Sequence, residues 1–113
     1  MRIVSEIIST EDLKKLAAEL FGDMVKGVVD IEKGLLALDA EMHSDLEAAL
    51  LKDGSTLKNL WGINLYPELA GEDFIEYDSL INIRPGQGNR GRIVEDKEIR
   101  NKIRELVKKR TGR

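Results

Sequence analysis

A chain of 113 residues, 42% hydrophobic and 35% charged, leaves little room for a second domain and is expected to bury one aliphatic core, and such a composition excludes a disordered or low-complexity polypeptide. The absence of cysteine excludes a disulfide framework and thiolate chemistry, no stretch approaches the roughly 18 apolar residues of a membrane span, and Glu6 interrupts the apolar start, so neither export nor membrane contact is expected and the cytoplasm is the expected location. The net charge of −3 is unevenly divided: residues 1–83 hold 7 Lys/Arg against 17 Asp/Glu, a balance of −10, whereas residues 84–113 hold 11 against 4, a balance of +7.

Residues 2–7 read as a strand. Ser9 or Thr10 then caps a helix whose stripe Leu13, Leu16, Ala17, Leu20 and Phe21 follows the spacing of one buried face, with Gly22 as its stop. Residues 25–31 and 35–38, rich in Val, Ile and Leu, flank Glu32-Lys33-Gly34 and predict a β-hairpin. Ser44 is placed to cap a second helix reaching about Leu51, with Glu47 completing a capping box. Residues 60–66 and 74–84 read as a second pair of strands joined through Pro67-Glu68-Leu69-Ala70-Gly71-Glu72. Asp96 precedes a last helix with the stripe Ile99, Ile103, Leu106 and Val107, the outward pairs Glu98 with Lys102 and Glu105 with Lys109, and a tail from Thr111 expected to fray.

The order β-α-β-β-α-β-β-α lacks the strand-helix alternation of a doubly wound parallel sheet. It predicts a single α+β domain over residues 1–113, with a mainly antiparallel sheet of about five strands and three helices. No repeat, low-complexity segment or long linker divides the chain.

Three groups of residues carry candidate chemistry. Gly86-Gln87-Gly88-Asn89-Arg90-Gly91 matches the glycine spacing of dinucleotide-binding turns, but such a turn must open a helix inside a βαβ unit, and no second strand follows. What remains is a glycine-rich polar loop carrying Arg84, Gln87, Asn89, Arg90 and Arg92, whose backbone N–H groups and arginine forks suit a phosphate or carboxylate. Its plainer role is a solvated connection. The only histidine, His43, stands beside Glu41 and Asp45 and is a candidate acid or base with a carboxylate to orient it. It lacks the second histidine or cysteine of a tight metal site, so a helix-start histidine with local hydrogen bonds is the plainer role and no metal is expected. On the second strand pair, alternation puts Ser79, Ile81 and Ile83 on one face and Asp78, Leu80, Asn82 and Arg84 on the other, with Asn64 opposite Asn82 as a pair of amides able to read a ligand. A solvent-facing side of the sheet accounts for the same pattern. Trp61 is assigned to the core, since no aromatic residue interleaves with the arginines to form a base-stacking platform.

The segments Phe21-Gly22-Asp23-Met24-Val25-Lys26, Val28-Val29-Asp30, Trp61-Gly62-Ile63-Asn64-Leu65-Tyr66-Pro67-Glu68, Ile81-Asn82-Ile83-Arg84-Pro85 and Gln87-Gly88-Asn89 together resemble a family of short prokaryotic proteins known only as a domain of unknown function. The resemblance covers nearly the whole chain and implies one domain. It brings no activity, cofactor or catalytic residue with it.

Function is thus expected from the residues alone. The denser signal favours a binding module that takes an anionic ligand, whether a nucleotide, an RNA segment or an acidic protein, through the Arg84 to Arg92 loop with Asn64 and Asn82 near it. Nucleic acid has the weaker support, because no known nucleic-acid motif is present. A small hydrolase or transferase using His43 with Glu41 or Asp45 is the alternative, and self-association as a homodimer is a third that no sequence feature excludes. The sequence names no cofactor.

Overall fold

Alternation along the strands gives the sheet two apolar faces, and the helices divide between them to cover both. In the computed structural model, which describes residues 1–113, the strands are β1 (Arg2–Val4), β2 (Val25–Asp30), β3 (Leu35–Leu38), β4 (Leu60–Leu65) and β5 (Ile75–Glu76). They form one antiparallel sheet in the order β1-β3-β2-β4-β5, accompanied by α1 (Thr10–Leu20), α2 (His43–Lys52) and α3 (Lys97–Thr111). This is the α+β arrangement that the sequence order predicts.

The larger core lies between the sheet and the α1/α3 layer. Val25 and Val29 of β2, Leu36 and Leu38 of β3 and Trp61, Ile63 and Leu65 of β4 pack there against Leu13 and Ala17 of α1 and Ile103, Leu106 and Val107 of α3. A second, smaller core lies on the opposite face, where a single core was expected, because the sheet is apolar on both sides: Val28, Ala37 and Leu60 meet Leu46 and Leu50 of α2 there. β4 is buried along its whole length because the α1/α3 layer covers one face, α2 and residues 79–81 cover the other, and β2 pairs with all six of its residues, from Val25 with Leu65 to Asp30 with Leu60.

The helix ends follow local chemistry where nothing competes for it. The Ser9 hydroxyl accepts the Asp12 N–H at 3.1 Å, and the Asp96 carboxylate accepts the N–H groups of Glu98 and Ile99 at 2.8 and 3.2 Å. The second helix departs from expectation. It begins at His43 after Met42 with no side-chain cap, because Glu47, which a Ser44 capping box requires, turns instead to the Arg84 guanidinium at 3.2 Å. Nor does the tail fray. Gly112 adopts φ +70°, the left-handed conformation that ends a helix, and Arg113 then donates to the carbonyls of Leu69 and Pro67 and stacks on Phe74 at 3.8 Å. The spaced pairs Glu98 with Lys102 and Glu105 with Lys109 close no ion pair, and Phe21, expected on the buried stripe, sits exposed at the end of α1 beneath Lys26.

The expected strand over 74–84 is the main correction. β5 has two residues, and the chain leaves the sheet edge into a tight turn at Leu80–Asn82, capped by the Ser79 hydroxyl accepting the Ile81 N–H at 3.2 Å. Where β5 stops, the Asn82 side-chain amide takes its place. Its oxygen accepts the Gly62 N–H at 2.8 Å and its nitrogen donates to the Gly62 carbonyl at 2.9 Å, so one side chain pairs with β4 as a neighbouring peptide would. The expected alternation is accordingly lost: Asn82 is fully buried, whereas Leu80 is 65% and Ile83 43% exposed. Gly62 is required at this contact, since a Cβ there would stand 2.5 Å from the Ser79 Cβ.

Asn82→Ala should therefore leave a buried N–H and C=O of β4 unpaired and cost about 2–4 kcal/mol of stability in urea unfolding, while Leu80→Ser, at an exposed position of the same turn, should change it by less than about 0.5 kcal/mol. Equal effects of the two substitutions would show that the amide contributes nothing.

Candidate functional site

The Arg84 to Arg92 loop is closed upon the fold rather than held open. Arg84 donates through one guanidinium nitrogen to the Leu57 carbonyl at 3.0 Å, through the other to Glu47 of α2, and lies 5.0 Å above the Trp61 ring. Burial pulls its pKa down and the Glu47 carboxylate pulls it back up, so it remains a charged strut between α2 and β4. Gln87 donates to the Lys58 carbonyl at 3.1 Å. Asn89, only 3% exposed, donates to the carbonyls of Asn82, Gly91 and Ile93 and accepts the Glu95 N–H at 2.9 Å, which engages both its nitrogen and its oxygen within the fold. Arg92 pairs with Asp78 at 2.8 Å. Arg90 is exposed and makes no side-chain bond within the molecule, which leaves it as the one free arginine of the loop.

Asn64 and Asn82 both bear on β4, but they belong to different groups. Asn82 plugs the strand edge and joins the loop by donating to the Arg92 carbonyl at 3.1 Å. Asn64 instead stands in a polar row across the sheet, in register with Lys26 of β2 and Glu76 of β5. Its nitrogen donates to the Glu76 carboxylate at 2.7 Å, and the same carboxylate oxygen accepts the Tyr66 hydroxyl at 3.3 Å. The Asn64 oxygen is buried without a partner.

His43 sits over this row at the first residue of α2, half buried. Its Nε2–H donates to the Ile63 carbonyl at 2.7 Å, so this nitrogen carries the proton of the neutral ring. Neither Glu41 nor Asp45, both exposed, bonds the imidazole; its neighbours are Asn64, Lys26 and Asp78. Arg84 meets α2 at Glu47, one helical turn beyond His43, so the histidine segment and the arginine loop dock on the same helix without forming a shared catalytic set. Nor do three or more His, Asp or Glu side chains converge to hold a metal ion.

The arrangement that sequence reasoning missed lies on the other side of the sheet. α3 turns its basic residues Lys97, Arg100, Arg104 and Lys108 along one wall of a groove of about 1090 Å³, whose opposite wall is the segment from Glu72 to Tyr77, with Tyr66 and Arg113 completing the lining. Arg100 lies 4.5 Å above the Tyr77 ring. Burial raises the Tyr77 pKa and the two arginines Arg104 and Arg100 oppose that rise, so its hydroxyl stays protonated at neutral pH. The signal was present as the spacing i, i+3, i+7, i+11 flanking the apolar stripe, but the partner wall is set by tertiary packing alone.

Burial, the largest influence on His43, depresses its pKa below the ordinary 6.5. The unfolded chain then takes up a proton that the folded chain refuses, so stability should be fully present above pH 6.5 and decline as the pH falls below it, with a slope of at most about 1.4 kcal/mol per pH unit. Urea unfolding between pH 7.5 and 5.5 should show this decline in the native chain and a flatter profile in His43→Gln; parallel profiles would show that His43 is not its source.

No helix of the chain is long and apolar enough to cross a membrane. No curated protein and no solved structure matches the chain. The model of a family described as "Protein of unknown function (DUF5674)" matches residues 2–110, and with nearly its full length matched, the chain belongs to that family.

Proposed function

We propose that the protein is a binding module for an anionic ligand and that the α3 groove, rather than the Arg84 to Arg92 loop, is its receiving surface. One observation carries this reading: the eight basic residues between Lys97 and Arg113 close no ion pair, although the rest of the chain is strongly acidic. The acidic body neutralises the basic end only at Arg84 with Glu47 and Arg92 with Asp78, both before α3 begins. Cations left unpaired along one groove hold a positive potential there and attract anions, an effect that salt screens over about 10 Å at 0.1 M. Five of these eight line the same groove. The absence of cysteine is in keeping with a cytoplasmic site of action.

Titration of the labelled protein with inorganic tripolyphosphate at low salt should shift the amide resonances of residues 97–113 and 66–77, with weakening at moderate salt. The double variant Arg100→Glu, Arg104→Glu should bind at least about tenfold more weakly, a loss of about 1.4 kcal/mol or more, while Arg90→Glu should bind within about twofold of the native chain. Shifts confined to 84–92, with Arg90→Glu as the damaging change, would return the site to the loop.

A further inference from the structure

We infer that the anion taken by this groove is a nucleotide whose phosphates lie along α3 and whose base faces Glu72 and Asp73. The inference rests on the anion-binding reading above and adds the class of ligand.

The groove is not uniformly basic. Glu72, Asp73 and Glu76 stand on the wall opposite Lys97, Arg100, Arg104 and Lys108, and no ion pair crosses between the walls. A ligand charged along its whole width, such as an acidic peptide or a bare polyphosphate, would satisfy α3 and be repelled by the facing carboxylates. The complementary ligand is therefore negative on one side only and offers N–H donors on the other. Glu76 is already engaged by Asn64 and Tyr66, whereas Glu72 and Asp73 are exposed and bond to nothing in the fold, which leaves their oxygens free to accept. Exocyclic amino groups of cytosine and adenine are donors of this kind, and carboxylates accept from cytosine N4 where proteins read bases.

The rest of the groove suits a flat ring between these walls. Tyr66 is half exposed at one end, and the Arg100 guanidinium over Tyr77 presents a planar cation on which a base can stack. The space between the walls, about 1090 Å³, is slightly above the usual range of small-molecule sites and has room for a nucleoside with its phosphates. Free nucleotide and a nucleotide within a single strand present the same chemistry.

The test is calorimetric titration of the full chain at one ionic strength with tripolyphosphate, CTP, UTP and a cytidine hexanucleotide. CTP should bind about tenfold more tightly than tripolyphosphate and several-fold more tightly than UTP, which carries a carbonyl where cytosine carries the amino group. The exposed double change Glu72→Gln, Asp73→Asn should erase the preference for CTP over UTP while strengthening tripolyphosphate binding, since the carboxylates that repel it are gone. A hexanucleotide bound at least tenfold more tightly than CTP would identify the natural ligand as a strand; otherwise it is the free nucleotide. If tripolyphosphate binds and CTP binds no better, or if CTP and UTP bind alike, the nucleotide inference is overturned while the anion-binding reading stands. Failure of all four ligands to bind would overturn both.

Discussion

One side-chain amide holds the second half of this molecule in place. Asn82 pairs with both backbone groups of Gly62 at the open edge of β4, and it can do so only because Gly62 has no side chain to push the 79–82 turn away. Asn89 then bonds the Asn82 carbonyl from behind and accepts the Glu95 N–H, one residue before the Asp96 cap of α3. The path from the edge of β4 to the start of α3 is thus a continuous set of hydrogen bonds, buried up to the last one at Glu95. Each is of ordinary strength, but leaving one of the buried bonds unmade would strand a polar group away from water. The groove exists because this path fixes where α3 begins.

Charge is arranged so that this fold does not consume it. Most of the negative charge lies before residue 84 and most of the positive charge after it, yet ion pairing between the two regions is limited to two arginines of the connecting loop. α3 is held to the sheet by Ile103, Leu106 and Val107 rather than by ion pairs, so the cations of its groove face stay unpaired. Apolar burial does not fade with salt as exposed ion pairing does. The helix can therefore present charge to a ligand without loosening its own attachment.

Much of the architecture was legible because it depends on local periodicity and local caps. The stripes of α1 and α3, the Ser9 and Asp96 caps and the hairpin around Gly34 all use residues close in sequence. Reading failed where a side chain served a distant backbone. Glu47 has the spacing of a capping box but serves Arg84, Asn82 has the alternation of a strand but replaces one, and Arg113 looks like a loose end but binds carbonyls 44 and 46 residues earlier. The proposed site suffered in the same way. Each arginine of the loop could be named from sequence, but their engagement within the fold could not, nor could the meeting of α3 with the segment around Tyr66 and Tyr77.

The reliance on two buried asparagines also sets a chemical lifetime. An amide that hydrolyses to a carboxylate keeps its size and shape but loses its donor and gains a negative charge. At Asn82 the new oxygen would face the carbonyls of Gly62 and Arg92, and at Asn89 those of Asn82, Gly91 and Ile93, so that attraction becomes repulsion at every one of these contacts. Neither asparagine precedes a glycine, and both sit in hydrogen-bonded, dry surroundings that hold the amide away from the attack that ages it. The packing that these side chains create is also what preserves them.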